Sequence, residues 1–98
     1  MTEPTRIAAD HPAFPGHFPG RPIVPGALLL ECILEAAAAK FPAIAIGGVR
    51  RIKFLRMLSP DEPFWVEFEA AGASGVRFRV QTEGGAAADG QLVFRTAD

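Results

Sequence analysis

The sequence has few of the residues that build disulfides and membrane anchors. Its single cysteine, Cys32, excludes an internal disulfide bond and is typical of a reducing compartment. The longest nearly apolar run, residues 23–30, contains Pro25 and Gly26 and is too short to span a bilayer. Because the first residues are polar and hold no apolar signal core, we expect a cytoplasmic protein without a membrane span.

An excess of charge of one sign is also missing. Ten basic and eleven acidic residues give a formal net charge of −1, so no overall field would attract nucleic acid or a membrane. The sequence has no zinc-ligand spacing, no phosphate-binding glycine loop and no serine nucleophile elbow. We therefore expect neither a nucleic-acid partner nor a bound metal.

Apolar side chains, in contrast, make up 49% of the 98 residues. A chain of this length forms one domain, residues 1–98, with a thin core of its own. So high an apolar fraction in so small a domain predicts an oligomer.

One segment predicts a long helix, from about Pro25 to Lys40. Pro25 suits the first helical position because its missing N–H would be unpaired there anyway. Between these ends, Glu31 and Glu35 are the only charged residues. A helix that is apolar on every side is expected to be buried on every side, so the rest of the chain has to wrap around it.

The rest of the chain reads as loop and strand. Five prolines make residues 11–26 a stiff loop, and Ser59 to Pro63 form a turn. Strands are predicted at residues 5–9, 44–58, 64–70, 76–82 and 92–96. The last hairpin is ambiguous: Asp89-Gly90 is the stronger turn signal, and Gly84-Gly85 would then be a bulge or bend. The sequence therefore predicts an α+β fold, in which an antiparallel sheet of about five strands wraps one long central helix.

One hairpin also has a predicted register. Centred on Ala73, it pairs Glu69 with Arg77 and Glu67 with Arg79 on one face, and Phe68 with Phe78 and Val66 with Val80 on the other. Both faces agree on this register, and a slip of one residue would break both sets.

Three residues form a candidate proton-transfer site. His17 lies in the proline-rich loop, and a neutral imidazole can accept a proton. Burial of Glu31 would disfavour its charged form, and a neutral carboxyl can donate a proton. Gly26 lies in the first helical turn, whose free N–H groups could polarise a carbonyl. Together these groups suit removal of a proton α to a carbonyl with departure of a β-hydroxyl.

Structural roles are the alternative for several of these residues. A lone loop histidine is usually just a loop residue, and a buried glutamate usually has a partner such as an arginine. We interpret His11 as structural and Cys32 as a packed, inert thiol.

At Gly16 to Gly20, Pro22 to Gly26 and Leu28 to Glu31, the chain resembles the 3-hydroxyacyl-[acyl-carrier-protein] dehydratases of the hotdog fold. The similarity extends to Ile52 to Asp61 and covers most of the chain. The short length looks most like the small dehydratases of aryl-polyene and related lipid clusters.

The resemblance implies the catalytic roles. His17 would be the base at C2, Glu31 would protonate the leaving C3 hydroxyl, and the Gly26 N–H would hold the thioester carbonyl. The histidine and the acid of one site would come from different subunits, which requires a homodimer or a higher oligomer. The phosphopantetheine arm of acyl carrier protein would enter a tunnel at that interface, and no metal or redox cofactor is implied.

Further residues are assigned to the substrate path and to docking. Candidates for the tunnel are Phe14, Phe18, Pro25 and Glu35. The two phenylalanines could equally anchor the loop, and Glu35 stands where relatives often have Gln. The chain has no tyrosine and hence no tyrosine gate. Arg21, Arg50, Arg51, Lys53 and Arg56 either dock the acidic carrier protein or form a solvated face.

The expected reaction is dehydration of a (3R)-3-hydroxyacyl thioester to the trans-2-enoyl thioester, in fatty acid, aryl-polyene or related lipid or polyketide synthesis. Glu rather than Asp at position 31 favours dehydration without isomerisation. Two alternatives stay open: a hotdog thioesterase, and a non-catalytic module that binds acyl chains or carrier protein. The acyl chain length, a coenzyme A substrate and a different hotdog subunit as partner also stay open.

Overall fold

The computed structural model describes residues 4–7, 24–72 and 74–95. One helix precedes four strands: α1 (Gly26–Lys40), β1 (Ile46–Phe54), β2 (Phe64–Ala70), β3 (Gly75–Thr82) and β4 (Gly85–Phe94). The strands form one antiparallel sheet in the order β1-β4-β3-β2. This confirms the predicted α+β fold, with one long helix and an antiparallel sheet.

The fifth strand is not confirmed in the part of the chain that the structure describes. The segment predicted as the first strand contributes an isolated bridge, in which Thr5 and Phe64 exchange N–H···O=C bonds of 2.8 and 3.0 Å. Residues 8 and 9 lie outside the described residues. Thr5 thus covers one position of the outer edge of β2.

The hairpin of β2 and β3 has the register predicted from its two faces. Glu67 pairs with Arg79 and Glu69 with Arg77, while Phe68 pairs with Phe78 and Val66 with Val80. The side chains of Val76, Phe78 and Val80 are buried, whereas Arg77 and Arg79 between them are exposed. The sheet therefore has one apolar face towards α1 and one charged face on the other side.

The predicted position of the last turn is wrong. The turn connects Thr82 to Gly85, and the Asp89-Gly90 pair lies inside β4. The Thr82 hydroxyl holds this turn, since it accepts the Gly84 N–H at 3.2 Å and donates to the Gly85 carbonyl at 2.7 Å. Gly85 has a φ of 122°, which glycine adopts without strain.

Gly90 is required by packing rather than by a turn. A Cβ on Gly90 would lie 2.6 Å from Cζ of Phe78, its partner on β3, and would also meet the carbonyl oxygen of Arg51. The glycine of the Asp89-Gly90 pair therefore lets the Phe78 ring approach the backbone inside the sheet. The same two residues in sequence are also typical of a hairpin turn.

The prediction that helix α1 is buried on every side is wrong for the single chain, because four strands cover only one side of it. Its buried residues, Leu29, Ile33 and Ala37, follow one another at intervals of four and form one stripe. The sheet curves, so that both outer strands, β1 and β2, come close to the helix. Glu31 and Glu35 are exposed in the single chain.

Among the described residues, the longest helix is too short to cross a membrane. Helix and sheet share one continuous core, in which Ile33 of α1 and Phe64, Val80 and Leu92 of the sheet are fully buried.

A side chain at position 90 should destabilise the sheet. We expect Gly90→Ala to lower the free energy of unfolding by about 2 to 3 kcal/mol, as overpacking of a tight site does. The matched control is Gly48→Ala on β1, because a Cβ on Gly48 has no atom within 4 Å. Urea denaturation of both variants measures the difference. Equal losses of stability would contradict the role assigned to Gly90.

Candidate active site

The N-terminal end of α1 is the first element of the candidate site. Pro25 is the N-cap, with an extended backbone, and its carbonyl accepts the N–H groups of Leu28 and Leu29, both at 3.1 Å. The N–H groups of Gly26 and Ala27 precede this first bond and find no carbonyl partner among the described residues. With respect to the described residues they are therefore unpaired donors at the positive end of the helix dipole.

An apolar cavity of about 480 Å³ lies beside these donors. Its lining comes from the helix end and from the chain that follows β1, namely Val24, Gly26, Leu29, Phe54, Leu55, Arg56, Met57 and Leu58. Phe54 is 51% exposed and Met57 is 71% exposed, so the mouth of the cavity is apolar and open in the single chain. A ligand with an apolar portion and a carbonyl group fits such a mouth.

Gly26 has a packing role in addition to its free N–H group. A Cβ at this position would lie 2.9 Å from Cζ of Phe54, so the ring rests against the bare Cα atom. Phe54 was not among the residues predicted for the site. The alternating pattern of β1 places Ile52 and Phe54 on one face, and Phe54 could have been predicted from this pattern.

The acid of the candidate site lies on the same helix. Glu31 is exposed and stands four residues before Glu35, so both carboxyls lie on one side of α1. Between them, Cys32 is half-buried, and burial raises the pKa of its thiol, as do the neighbouring charges of Glu35 and Glu31. This environment agrees with an inert thiol, because nucleophilic cysteines need a lowered pKa.

The loop residues of the hypothesis lie outside the described residues, namely His17, Phe14, Phe18, Arg21 and His11. The structure therefore brings together Pro25, Gly26 and the cavity and sets Glu31 on the same helix, while the position of the base stays a prediction. The described part of the chain holds no cluster of metal ligands.

The basic residues after α1 fall into two groups. Arg50, Arg51 and Lys53 are exposed on β1. Arg56 lies beyond the strand, and its Nη1 donates to Oε2 of Glu62 at 2.8 Å and to the Thr82 hydroxyl at 2.7 Å. Arg56 is therefore occupied within its own chain.

A larger depression, of about 560 Å³, lies on the face of the sheet that points away from α1. Arg77, Arg79, Glu67 and Asp89 line it, so both signs of charge alternate across it. This face is distant from the helix end and is best explained as a solvated sheet surface.

The matching family model is described as ApeI-like, the ApeI dehydratase, and covers residues 2–91. The chain belongs to the ApeI-like dehydratase family. It is a hydro-lyase, and the resemblance to hotdog 3-hydroxyacyl-[acyl-carrier-protein] dehydratases in the sequence is confirmed.

Curated relatives and solved structures agree with this membership. The 3-hydroxyacyl-[acyl-carrier-protein] dehydratases FabZ of Desulforamulus reducens and Natranaerobius thermophilus are 32% and 30% identical, each over 90% of this chain and 70% of the relative. A chain of the dehydratase heterocomplex ApeI:P from Xenorhabdus doucetiae superposes with a TM-score of 0.78 at 19% identity, over 93% of this chain and 82% of that chain. An uncharacterized protein from Erwinia carotovora subsp. atroseptica superposes with a TM-score of 0.76 at 22% identity, over 92% of this chain and 77% of that chain. These likenesses confirm the hotdog fold of this ApeI-like dehydratase.

In this dehydratase, Glu62 fixes the turn that follows the cavity. Its Oε1 accepts the N–H of Ser59 at 3.0 Å, and Arg56 binds its other oxygen. The Ser59 N–H and then the Arg56 guanidinium lower the pKa of the Glu62 carboxyl. The carboxylate therefore stabilises the fold while it is charged.

This lowered pKa predicts a pH-dependent stability. A depressed folded-state pKa contributes stability above the pKa of the unfolded state, and the contribution is lost as the pH falls through the folded value. We expect Glu62→Gln to cost about 0.5 to 1 kcal/mol at neutral pH, a small value because solvent screens the pair. The difference from wild type should vanish in acid. Urea denaturation across the acid range measures it, and a difference that does not change with pH would contradict the assignment.

Proposed function

We propose that the protein dehydrates (3R)-3-hydroxyacyl thioesters carried on acyl carrier protein, giving trans-2-enoyl thioesters and water. The observation that carries the proposal is the pair of free N–H groups at Gly26 and Ala27 beside an apolar cavity, with Glu31 on the same helix. Its curated relatives are named for this reaction. Fatty acid, aryl-polyene and related lipid or polyketide syntheses all use such a step.

The proposed chemistry assigns one task to each group. The Gly26 N–H donates to the thioester oxygen and stabilises the negative charge that develops there as C2 loses its proton. His17 takes that proton. Glu31 gives its own proton to the C3 hydroxyl, which leaves as water while the C2–C3 double bond forms. A proton must pass from His17 back to Glu31, directly or through solvent, before the next turnover.

Glu31 needs a second chain to act as an acid. It is exposed in the single chain and does not line the cavity beside Gly26. Strand β1 is at the outer edge of the sheet, and its free side has no partner strand among the described residues. We propose that a second copy pairs with this edge and covers Glu31, so that His17 of one protomer meets Glu31 of the other.

The carrier protein is proposed to dock near the same strand. Arg50, Arg51 and Lys53 are exposed there and suit an acidic partner. Arg21 stays a candidate for this surface, as do Phe14, Phe18 and Glu35 for the tunnel, with Pro25 at its helix end. No metal or redox cofactor takes part, and Glu rather than Asp at position 31 favours dehydration alone.

Two inactive variants test both the chemistry and the composite site. His17→Ala and Glu31→Gln should each lower hydration of a crotonyl thioester by about 10³-fold, because each lacks one proton-transfer group. If the two variants are unfolded together and refolded as a mixture, about half of the dimers are mixed, and one of the two sites in each is intact. We therefore expect the mixture to recover about a quarter of the wild-type activity.

The controls separate the alternatives. Circular dichroism and gel filtration must show that both variants are folded and dimeric. Full activity in either variant would contradict the proposal. A mixture that stays inactive would place His17 and Glu31 of one chain in the same site. Release of free thiol without hydration would favour a thioesterase. An inert wild-type chain that binds loaded carrier protein would favour a binding module, or a site completed by a different hotdog subunit.

A further inference from the structure

The chain from Leu55 to Leu58 forms one wall of the cavity and also determines where α1 begins. The N–H groups of Leu55 and Arg56 both donate to the carbonyl of Ala87, at 2.8 and 3.3 Å. The carbonyl of Leu58 accepts the N–H of Val24 at 2.7 Å. Val24 is two residues before Gly26, so any shift of this segment is transmitted to the free donors at the helix end.

The Arg56 side chain ties the segment to a rigid part of the sheet. Its guanidinium donates to the hydroxyl of Thr82, which is only 7% exposed and which itself closes the turn between β3 and β4. A Cβ on Gly84 would lie 3.7 Å from the guanidinium carbon, so Arg56 also rests against that turn. The anchor is a tight hairpin turn that the Thr82 hydroxyl holds through its bonds to Gly84 and Gly85.

Glu62 completes the arrangement from the other side. The carboxylate binds Arg56 with one oxygen and the Ser59 N–H with the other, which closes the turn that follows Leu58. The positive charge of Arg56 is therefore paired within its own chain, at the surface. An acidic partner would have to compete with Glu62 for it.

We propose that Arg56 is a positioning residue of the active site, which sets the place of the Gly26 donor and of the Leu55 and Met57 wall through Thr82 and Glu62. The proposal rests on the proposed function, because it takes the Gly26 N–H as the group that holds the thioester. It assigns Arg56 a role different from the docking surface expected from the run of basic residues.

The two roles predict opposite results for Glu62. If Arg56 docks an acidic carrier, removing the competing carboxylate should strengthen binding of the carrier. If Arg56 positions the helix end, Glu62→Gln and Thr82→Val should both act in the same direction as Arg56→Met, because each removes one of its anchors. The effect should be independent of what carries the thioester.

The experiment compares two crotonyl thioesters, one on acyl carrier protein and one on free pantetheine. We expect Arg56→Met to lower kcat about tenfold with both substrates, since a small displacement of a catalytic donor is costly, and to leave KM for the carrier-linked substrate within about twofold. Glu62→Gln and Thr82→Val should give smaller losses in kcat, and Arg56→Lys should recover part of the activity. Arg95→Met, an exposed arginine after β4, is the matched control and should behave as wild type.

A second measurement does not depend on activity. Arg56→Met should speed hydrogen exchange at the Val24 amide at least fivefold in the folded protein, because the Leu58 carbonyl that protects it is no longer held. Thr82→Val carries the same test if Arg56→Met does not fold.

Two results would overturn the proposal. One is a rise in KM for the carrier-linked substrate with kcat unchanged, which would assign Arg56 to docking. The other is an unchanged rate of hydrogen exchange at the Val24 amide. An inactive wild-type protein would count against the proposed function alone, and exchange would still decide whether Arg56 holds the helix end.

Discussion

Helix α1 is apolar around nearly its whole circumference, and a sheet of four strands covers only one side of it. Leu29, Ile33 and Ala37 take the buried stripe, while Ala27, Glu31 and Glu35 stay in water. The apolar surface that remains half-buried, including Leu28, Leu30 and Leu34, stabilises any assembly that removes it from solvent. The proposed dimer, the surroundings of Glu31 and the closure of the cavity all depend on how this second side of the helix is covered.

Two phenylalanine rings lie against glycines, one at the cavity and one in the middle of the sheet. Phe54 rests on Gly26 at the start of α1, and Phe78 rests on Gly90 in the middle of the sheet. In each case the missing Cβ lets an aromatic ring approach the backbone. The two contacts differ in exposure, because Phe78 is buried in the core and Phe54 is half in solvent. The ring of Phe54 therefore lines the open mouth of the cavity, whereas the ring of Phe78 belongs to the core.

The sequence predicted those features for which several residues carry the same information. The helix from 25 to 40 differs by one residue from α1, and the hairpin register of β2 and β3 is correct because its charged and apolar faces had to agree. The motif from His17 to Glu31 identified the family. The prediction of the last turn was wrong because Asp89-Gly90 has the local pattern of a turn. In the structure, Gly90 is needed because the ring of Phe78 on the neighbouring strand lies against it. The ion pair of Arg56 could not be predicted from the sequence, since Glu62 and Thr82 become its neighbours only in the fold.

The exposure of Glu31 connects assembly to chemistry. The proposed role of Glu31 as a proton donor requires a site that is closed from water, and the described part of the single chain does not provide one. In the proposed dimer, a second chain covers α1 and closes the site around Glu31. In this proposal the covering chain also supplies the base, because an acid without a nearby proton acceptor and substrate has no catalytic use. Assembly and completion of the proposed site are then the same physical event, and burial of the apolar surface that α1 leaves uncovered drives both.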